Sequence, residues 1–202
     1  RILAEVMPLV ILDGDNGLEG VDKVTVDYVA LGRELTQRLI DAGHTQIAVI
    51  AQFAEDVKWA GPLEGFRQAM DAAGLVADLS MVSYKAGKLY PVLLADILSR
   101  EPRPTGLLAL TTSDHAIILS TLMAMGVNVP LDLSYVGWAY SYMAALLPFP
   151  TLTCLDDIYQ SMAGCAVRRV LDRTEAPTLP AESFIAPVNL RVGETCIEKK
   201  AT

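Results

Sequence analysis

Leu39-Ile40-Asp41-Ala42-Gly43-His44-Thr45-Gln46-Ile47-Ala48-Val49-Ile50 joins the end of a helix to the start of a strand. Leu31, Leu35 and Leu39 recur every fourth residue and give the preceding segment one apolar helical face. Gly43 then stops that helix, since glycine is the usual residue in the left-handed position just past a helix end. From Gln46 to Phe53 the chain is apolar on both strand faces, through Ile47, Val49 and Ile50. A strand without alternation is buried on both faces, which is the habit of parallel sheets covered by helices.

The same alternation extends in both directions. Upstream, Pro8 to Leu12 reads as a short strand ending in the turn Asp13-Gly14-Asp15-Asn16-Gly17, and Val24-Thr25-Val26 as a second strand. Downstream, residues 54–61 read as a loop and Pro62 as the first residue of a helix with Leu63, Phe66, Met70 and Ala73 inward and Gly74 at its end. Strand–helix pairs follow at 80–84 and 90–100, 106–111 and 114–125, and 133–138 with a short helix near 141–147. Strand 151–155 leads into helix 157–173, and an extended segment covers 183–192. Arg173 to Glu182, with Pro177 and Pro180, is the one linker-like stretch. Short apolar strands alternating with helices of about three turns define an α/β fold with doubly wound parallel sheets.

Composition narrows the function. Of 202 residues, 52% are hydrophobic and 20% charged, which suits a packed core rather than disorder. No uncharged apolar run reaches the roughly 18 residues of a membrane span. Arg1 to Val6 does not read as a secretory signal, because Glu5 and Asp13 interrupt the apolar stretch and no small-residue cleavage site follows. A net charge of -8 makes this surface unsuited to phosphate backbones. Cys154, Cys165 and Cys196 show no metal-ligand spacing and read as reduced thiols, with Cys154 and Cys165 acting as small buried hydrophobes.

No G-x-S-x-G elbow, phosphate loop or G-x-G-x-x-G glycine set is present, and the serines have no partnering histidine. The expectation is a protein that is not an enzyme and carries no cofactor and no metal. Asp13, Asp15, Asp22 and Asp27 look like a carboxylate cluster, but Asp13 and Asp15 read as solvated turn residues, and Asp27 as a strand-end residue able to face a ligand. His44 reads as a turn residue that caps or packs at a hinge, and His115 as the start of a helix.

Four ordered segments resemble the lactose/galactose-repressor family of bacterial transcription regulators. Val26-Asp27-Tyr28, followed by a helix and the 39–50 stretch, is similar to that family's "VDN … L…GH..IA.I". Gly65-Phe66-Arg67-Gln68-Ala69-Met70 resembles "GF..AL", and Gly126 to Gly137 resembles "G..VP.DVS.VG". Pro148 to Thr153 and Leu190 to Thr195 resemble the "P.LTT" strand and the closing "V.RGST". The match covers nearly the whole chain.

This resemblance implies a periplasmic-binding-protein-like fold of two doubly wound lobes around a ligand cleft, with three crossovers. Residues 1–43 plus 155–180 would form an incomplete DNA-proximal lobe, and 44–154 plus 181–202 the distal lobe. It implies a cytoplasmic, homodimeric, ligand-sensing core that acts on operator DNA through a helix-turn-helix headpiece absent from these residues. The alternative is an exported solute-binding protein of the same fold. An enzyme on a doubly wound sheet is a third reading.

The family's effector positions are altered here. Pro62 stands where sugar-binding members have an arginine, and Ala139 follows Trp138 where they have a "DD" pair. Their "ND" pair corresponds to the segment Thr111-Thr112-Ser113-Asp114, in a register open by two residues. Losing a bidentate arginine and two carboxylates removes the charged grip on polyhydroxylated or anionic ligands. Tyr28, Lys58, Trp59, Thr111, Ser113, Trp138 and Tyr140 remain to hold a sugar or other small metabolite by stacking and hydroxyl contacts. The dimer interface is expected at Ile118, Leu122, Tyr142, Leu146 and Phe149.

Overall fold

The computed structural model describes residues 7–14, 18–51, 57–77, 82–84, 89–138, 151–155 and 158–199; at 57–59 and 82–84 it describes the backbone alone. The chain divides into two compact units, one of Arg1–Asp27 with Asp157–Val188, the other of Tyr28–Asp156 with Asn189–Thr202.

The smaller unit holds strands β1 (Val10–Leu12) and β2 (Asp22–Thr25) and, from the later segment, helix α5 (Ile158–Glu175) and strand β8 (Ser183–Ile185). The sheet order is β1-β2-β8 and both pairings are parallel. Val24 pairs with Leu12 on one side and Phe184 on the other, and is itself fully buried.

Its central tie is ionic. Asp22 is 0% exposed, and its carboxylate accepts Nε–H bonds from Arg169 at 3.0 Å and from Arg173, and the Glu182 N–H at 2.8 Å. Arg169 also donates to the Pro180 carbonyl. Asp22 therefore fastens the end of α5 and the segment before β8 to the first residue of β2. The 176–182 part of the expected linker is pinned rather than loose, and Asp22, noted in the sequence only as one of a carboxylate cluster, is a buried structural anion.

The larger unit holds helix α1 (Tyr28–Asp41), strand β3 (Ile47–Ala51), helix α2 (Val57–Ala72), strand β4 (Val82–Tyr84), helix α3 (Tyr90–Leu98), strand β5 (Gly106–Leu110), helix α4 (His115–Ala124), strand β6 (Ser134–Trp138), strand β7 (Thr153–Leu155) and strand β9 (Leu190–Arg191). Its sheet order is β4-β3-β5-β6-β7-β9, parallel throughout except for the antiparallel β7–β9 edge. Sequential order reverses between β3 and β5. In open α/β sheets the carboxyl ends of the strands at such a switch point form the ligand crevice.

Alternate strand residues face opposite helical layers. Ala48, Ile50, Leu107, Ala109 and Tyr135 pack with Leu93, Leu94 and Ile97 of α3 and with Ile118 and Leu122 of α4. The helix-to-strand turn is built as its sequence requires. Gly43 has φ 85°, its N–H reaches the Ile40 carbonyl at 2.8 Å, and the His44 N–H reaches Leu39 at 3.0 Å.

Three expectations change. Helix α1 lies in the larger unit rather than with residues 1–27, and β8 lies in the smaller unit through its pairing with β2. The crossings thus fall at Asp27–Tyr28, Asp156–Asp157 and Val188–Asn189. Helix α2 starts at Val57, so Pro62 sits inside it rather than at its first position. The placement of α1 and the early start of α2 have one cause, the close crossing of the two helices. A Cβ on Gly32 would lie 2.1 Å from the Pro62 carbonyl oxygen, and one on Gly65 2.1 Å from that of Val29. No side chain fits between these backbones, so α1 goes with α2, and the turn carrying Gly61 and Pro62 is held helical against α1. The expected helix near 141–147 lies outside the described residues.

Candidate functional site

The carboxyl end of β6 meets the amino end of α1. Tyr28, the first residue of α1, stacks on Trp138, the last of β6, with ring centroids 5.4 Å apart and 27° between planes. Tyr28 is half-buried, while Trp138 is only 2% exposed. Both rings were expected to offer a face to ligand; of this pair Tyr28 is the part-exposed one, with Trp138 behind it.

Beside them lies the turn from β5 into α4. Ser113 is exposed and donates to Asp114 Oδ1 at 3.1 Å. Tyr90 donates to Asp114 Oδ2 at 2.6 Å, and its hydroxyl pKa is pushed up by burial and then by that carboxylate. Thr111 is fully buried; its Oγ1 makes no hydrogen bond of normal geometry, although it lies close enough to the Tyr90 hydroxyl to oppose the upward shift slightly. Asp114 is thus one carboxylate retained at this edge, held by two hydroxyls.

His115 opens α4 and is 2% exposed. Its Nε2 lies 2.7 Å from the Trp138 carbonyl oxygen and its Nδ1 2.6 Å from the Tyr135 hydroxyl. Burial lowers the imidazole pKa below 6.5 and raises that of the Tyr135 hydroxyl. His44 is a similar buried staple at the opposite strand ends: Nε2 faces the Ile197 carbonyl at 3.3 Å and Nδ1 the Thr105 hydroxyl at 3.0 Å, with its pKa lowered chiefly by burial. It packs as expected of a turn residue, but within the larger unit and away from any crossing.

Of the expected effector residues, the structure joins Tyr28 with Trp138 and sets Thr111 and Ser113 in one turn. Lys58 and Trp59 lie in the first turn of α2 with side chains outside the described residues, and Tyr140 lies outside them altogether. Tyr90, Asp114, His115 and Tyr135 join the site without having been singled out as binding residues. Their signal was faint: Asp114-His115 at a helix start reads as ordinary capping until Tyr90 and Tyr135 arrive from other elements.

Ile118 and Leu122 are 0% exposed and belong to the core, which corrects their assignment to an interface. The outward face of α4 carries Ile117 and Met123, 52% and 75% exposed. Tyr142, Leu146 and Phe149 lie outside the described residues. Cys154 and Cys196 are buried, Cys165 is half-buried, and all three are free thiols. Among the described residues no cluster of His, Cys, Asp and Glu has metal-binding geometry, and no helix is long and apolar enough to cross a membrane. A groove of about 300 Å³ on the smaller unit, lined by Cys165, Arg168, Arg169, Asp172, Phe184 and Pro187, is apolar, and its Arg169 is committed to Asp22.

The larger unit is thus an α/β core built on a doubly wound sheet, with aromatic and hydroxyl side chains gathered at the carboxyl ends of its strands. The chain belongs to the periplasmic binding protein-like domain family, whose model matches residues 36–196. It is 31% identical over 179 residues to the HTH-type transcriptional regulator CelR of Thermobifida fusca, covering 88% of this chain and 52% of CelR. It is 29% identical over 163 residues to the HTH-type regulator DegA of Bacillus subtilis, covering 78% of this chain and 47% of DegA. The structure of a CelR–cellobiose complex superposes with a TM-score of 0.74 at 30% identity, over 92% of this chain and 58% of that one. A LacI-family regulator of Enterococcus faecium with bound ribose, at 21% identity and a TM-score of 0.77, over 96% of this chain and 72% of that one, shares the fold. The chain spans about half the length of the curated relatives it matches. These relatives are transcription regulators rather than enzymes.

Proposed function

We propose that this chain is the ligand-sensing core of a DNA-binding transcription regulator, and that its effector is a neutral sugar held at the carboxyl edge of the larger unit. The observation that carries this reading is the Tyr28–Trp138 stack at the β6 end, beside the hydroxyl-bearing turn Thr111–Asp114. An aromatic face receives the apolar face of a pyranose, while Ser113 and Asp114 offer hydrogen bonds to ring hydroxyls. Pro62 stands where an arginine would give a sugar acid or phosphate a bidentate grip, which favours a neutral ligand. CelR, with cellobiose bound in its own structure, makes a β-linked glucose disaccharide the first ligand to try.

DNA contact belongs to a helix-turn-helix module of the intact protein, because a net charge of -8 makes this core a poor partner for phosphate backbones. The protein then works in the cytoplasm. The partner is a second copy, with Ile117 and Met123 on the outer face of α4 in the interface. The relatives are regulators, which favours this reading over an exported solute-binding protein. In the dimer, effector binding shifts the equilibrium between arrangements that fit or miss paired DNA half-sites. Calorimetric titration with cellobiose tests the effector reading; saturable binding supports it, and silence across neutral sugars removes it.

A further inference from the structure

Below the Tyr28–Trp138 pair runs a buried polar chain for which sugar binding itself has no use. The Trp138 carbonyl can only accept, so His115 Nε2 must carry the proton in the 2.7 Å contact. Burial outweighs the Trp138 and Thr111 carbonyls and the Asp114 carboxylate, which favour the charged ring, and keeps the imidazole pKa low; in the neutral ring Nδ1 is left as an acceptor and the Tyr135 hydroxyl donates to it at 2.6 Å. The ring is held on both edges. Its seat exists because residue 137 is glycine: a Cβ there would lie 2.6 Å from His115 Cε1.

The strand geometry gives this chain its consequence. Tyr135 and Gly137 share one face of β6, the face covered by α3 and α4. Trp138 projects to the other face, where α1 and Tyr28 lie. His115 meets the tryptophan at its backbone carbonyl, at the last residue of the strand. We propose that His115 is a positioning residue of the effector platform: clamped between Tyr135 and the Trp138 carbonyl, it fixes the end of β6 and so the angle at which Trp138 backs Tyr28. This rests on the sugar-binding reading above only for its effect on affinity; its effect on Trp138 stands alone. His44 makes the same pair of bonds with no effector residue nearby, and serves as the structural control.

The test separates positioning from mere stability. In wild-type protein, long-range proton–nitrogen NMR between pH 6 and 8 is expected to show His115 as the Nε2–H tautomer; an Nδ1–H or charged ring overturns the proposal. His115→Leu removes both bonds, whereas His115→Gln keeps an amide N–H for the Trp138 carbonyl. Trp59 and Trp138 are the only tryptophans, so a Trp59→Phe background reports Trp138 emission alone. With Trp59 retained, cellobiose affinity is measured by calorimetry. The leucine variant is expected to shift Trp138 emission and weaken cellobiose about tenfold, and the glutamine variant to restore both, while His44→Leu lowers the melting temperature and leaves both unchanged. A folded His115→Leu protein with wild-type emission and affinity refutes the proposal. Should that variant not fold, Tyr135→Phe is read instead, with a smaller change in the same direction expected and no change refuting it. If wild-type protein binds no neutral sugar, the effector reading falls and the emission experiment still decides the role of His115.

Discussion

Tyr28 and Trp138 lie 110 positions apart in the sequence yet stack at 5.4 Å, the first exposed in part and the second almost fully enclosed. The asymmetry separates their roles. Trp138→Ala empties a core site and is expected to cost about 3–5 kcal/mol of stability. Tyr28→Ala removes one half-exposed ring and is expected to cost about 1 kcal/mol, close to the worth of an aromatic pair. Urea denaturation of the two variants checks this; equal losses would show that Tyr28 is as much a core residue as Trp138.

Asp22 ties three chain segments of the smaller unit. Asp22→Asn leaves Arg169 and Arg173 facing a neutral group and is expected to cost about 3–5 kcal/mol. Although burial alone would raise its pKa, the Glu182 N–H and the two guanidiniums bring it below 3.8. The unfolded chain therefore protonates first in acid, and this stabilisation is present above about pH 3.8 and lost as pH falls through the folded value. Acid titration of stability followed by circular dichroism should show that loss in wild type and not in Asp22→Asn.

The two histidines act in a different window. Burial lowers both His44 and His115 below 6.5, so the unfolded chain takes up protons that the folded chain refuses. Their contribution is full above about pH 6.5 and declines below it. Stability measured in urea at pH 7.5 and 5.5 should fall on acidification, and a His44→Gln, His115→Gln protein should show a shallower fall. An equal slope in both proteins would refute neutral buried imidazoles.

Ile117 and Ile118 are adjacent but serve opposite sides of α4. Ile117→Glu, on the exposed face, is expected to weaken self-association in sedimentation velocity while leaving the melt nearly unchanged. Ile118→Ala is expected to cost about 2–5 kcal/mol with the dimer intact wherever the protein is folded. Dimers that survive Ile117→Glu would place the interface elsewhere.

The frame was legible because its signals are local. Leu31, Leu35 and Leu39 gave α1 its buried face, and Gly43 its stop. What was missed depended on distant partners. Asp22 carried no signal beyond its place in a carboxylate cluster until Arg169 and Arg173 closed on it from α5. Pro62 reads locally as a helix start, and the crossing with Gly32 overrules that. On α4 seven of ten positions are apolar and they fall on every side, so periodicity could not tell the core residues Ile118 and Leu122 from the exposed Ile117 and Met123. The site residues were half visible: Tyr28, Ser113 and Trp138 carry suggestive side chains at strand and helix ends. His115 acquires its role only from Tyr135, the Trp138 carbonyl and the space above Gly137.

The most direct measurement is calorimetric titration of the 202-residue chain with cellobiose, glucose and ribose, repeated in Tyr28→Ala. A ligand bound only by the folded state also raises the melting temperature, by mass action worth about 2.7 kcal/mol at a hundredfold excess over Kd. The account predicts saturable binding of a neutral sugar, accompanied by that stabilisation, and weakened about tenfold in Tyr28→Ala, or about 1.4 kcal/mol. A cooperatively folded chain that binds none of them, or binds one with an affinity that Tyr28→Ala leaves unchanged, would contradict it.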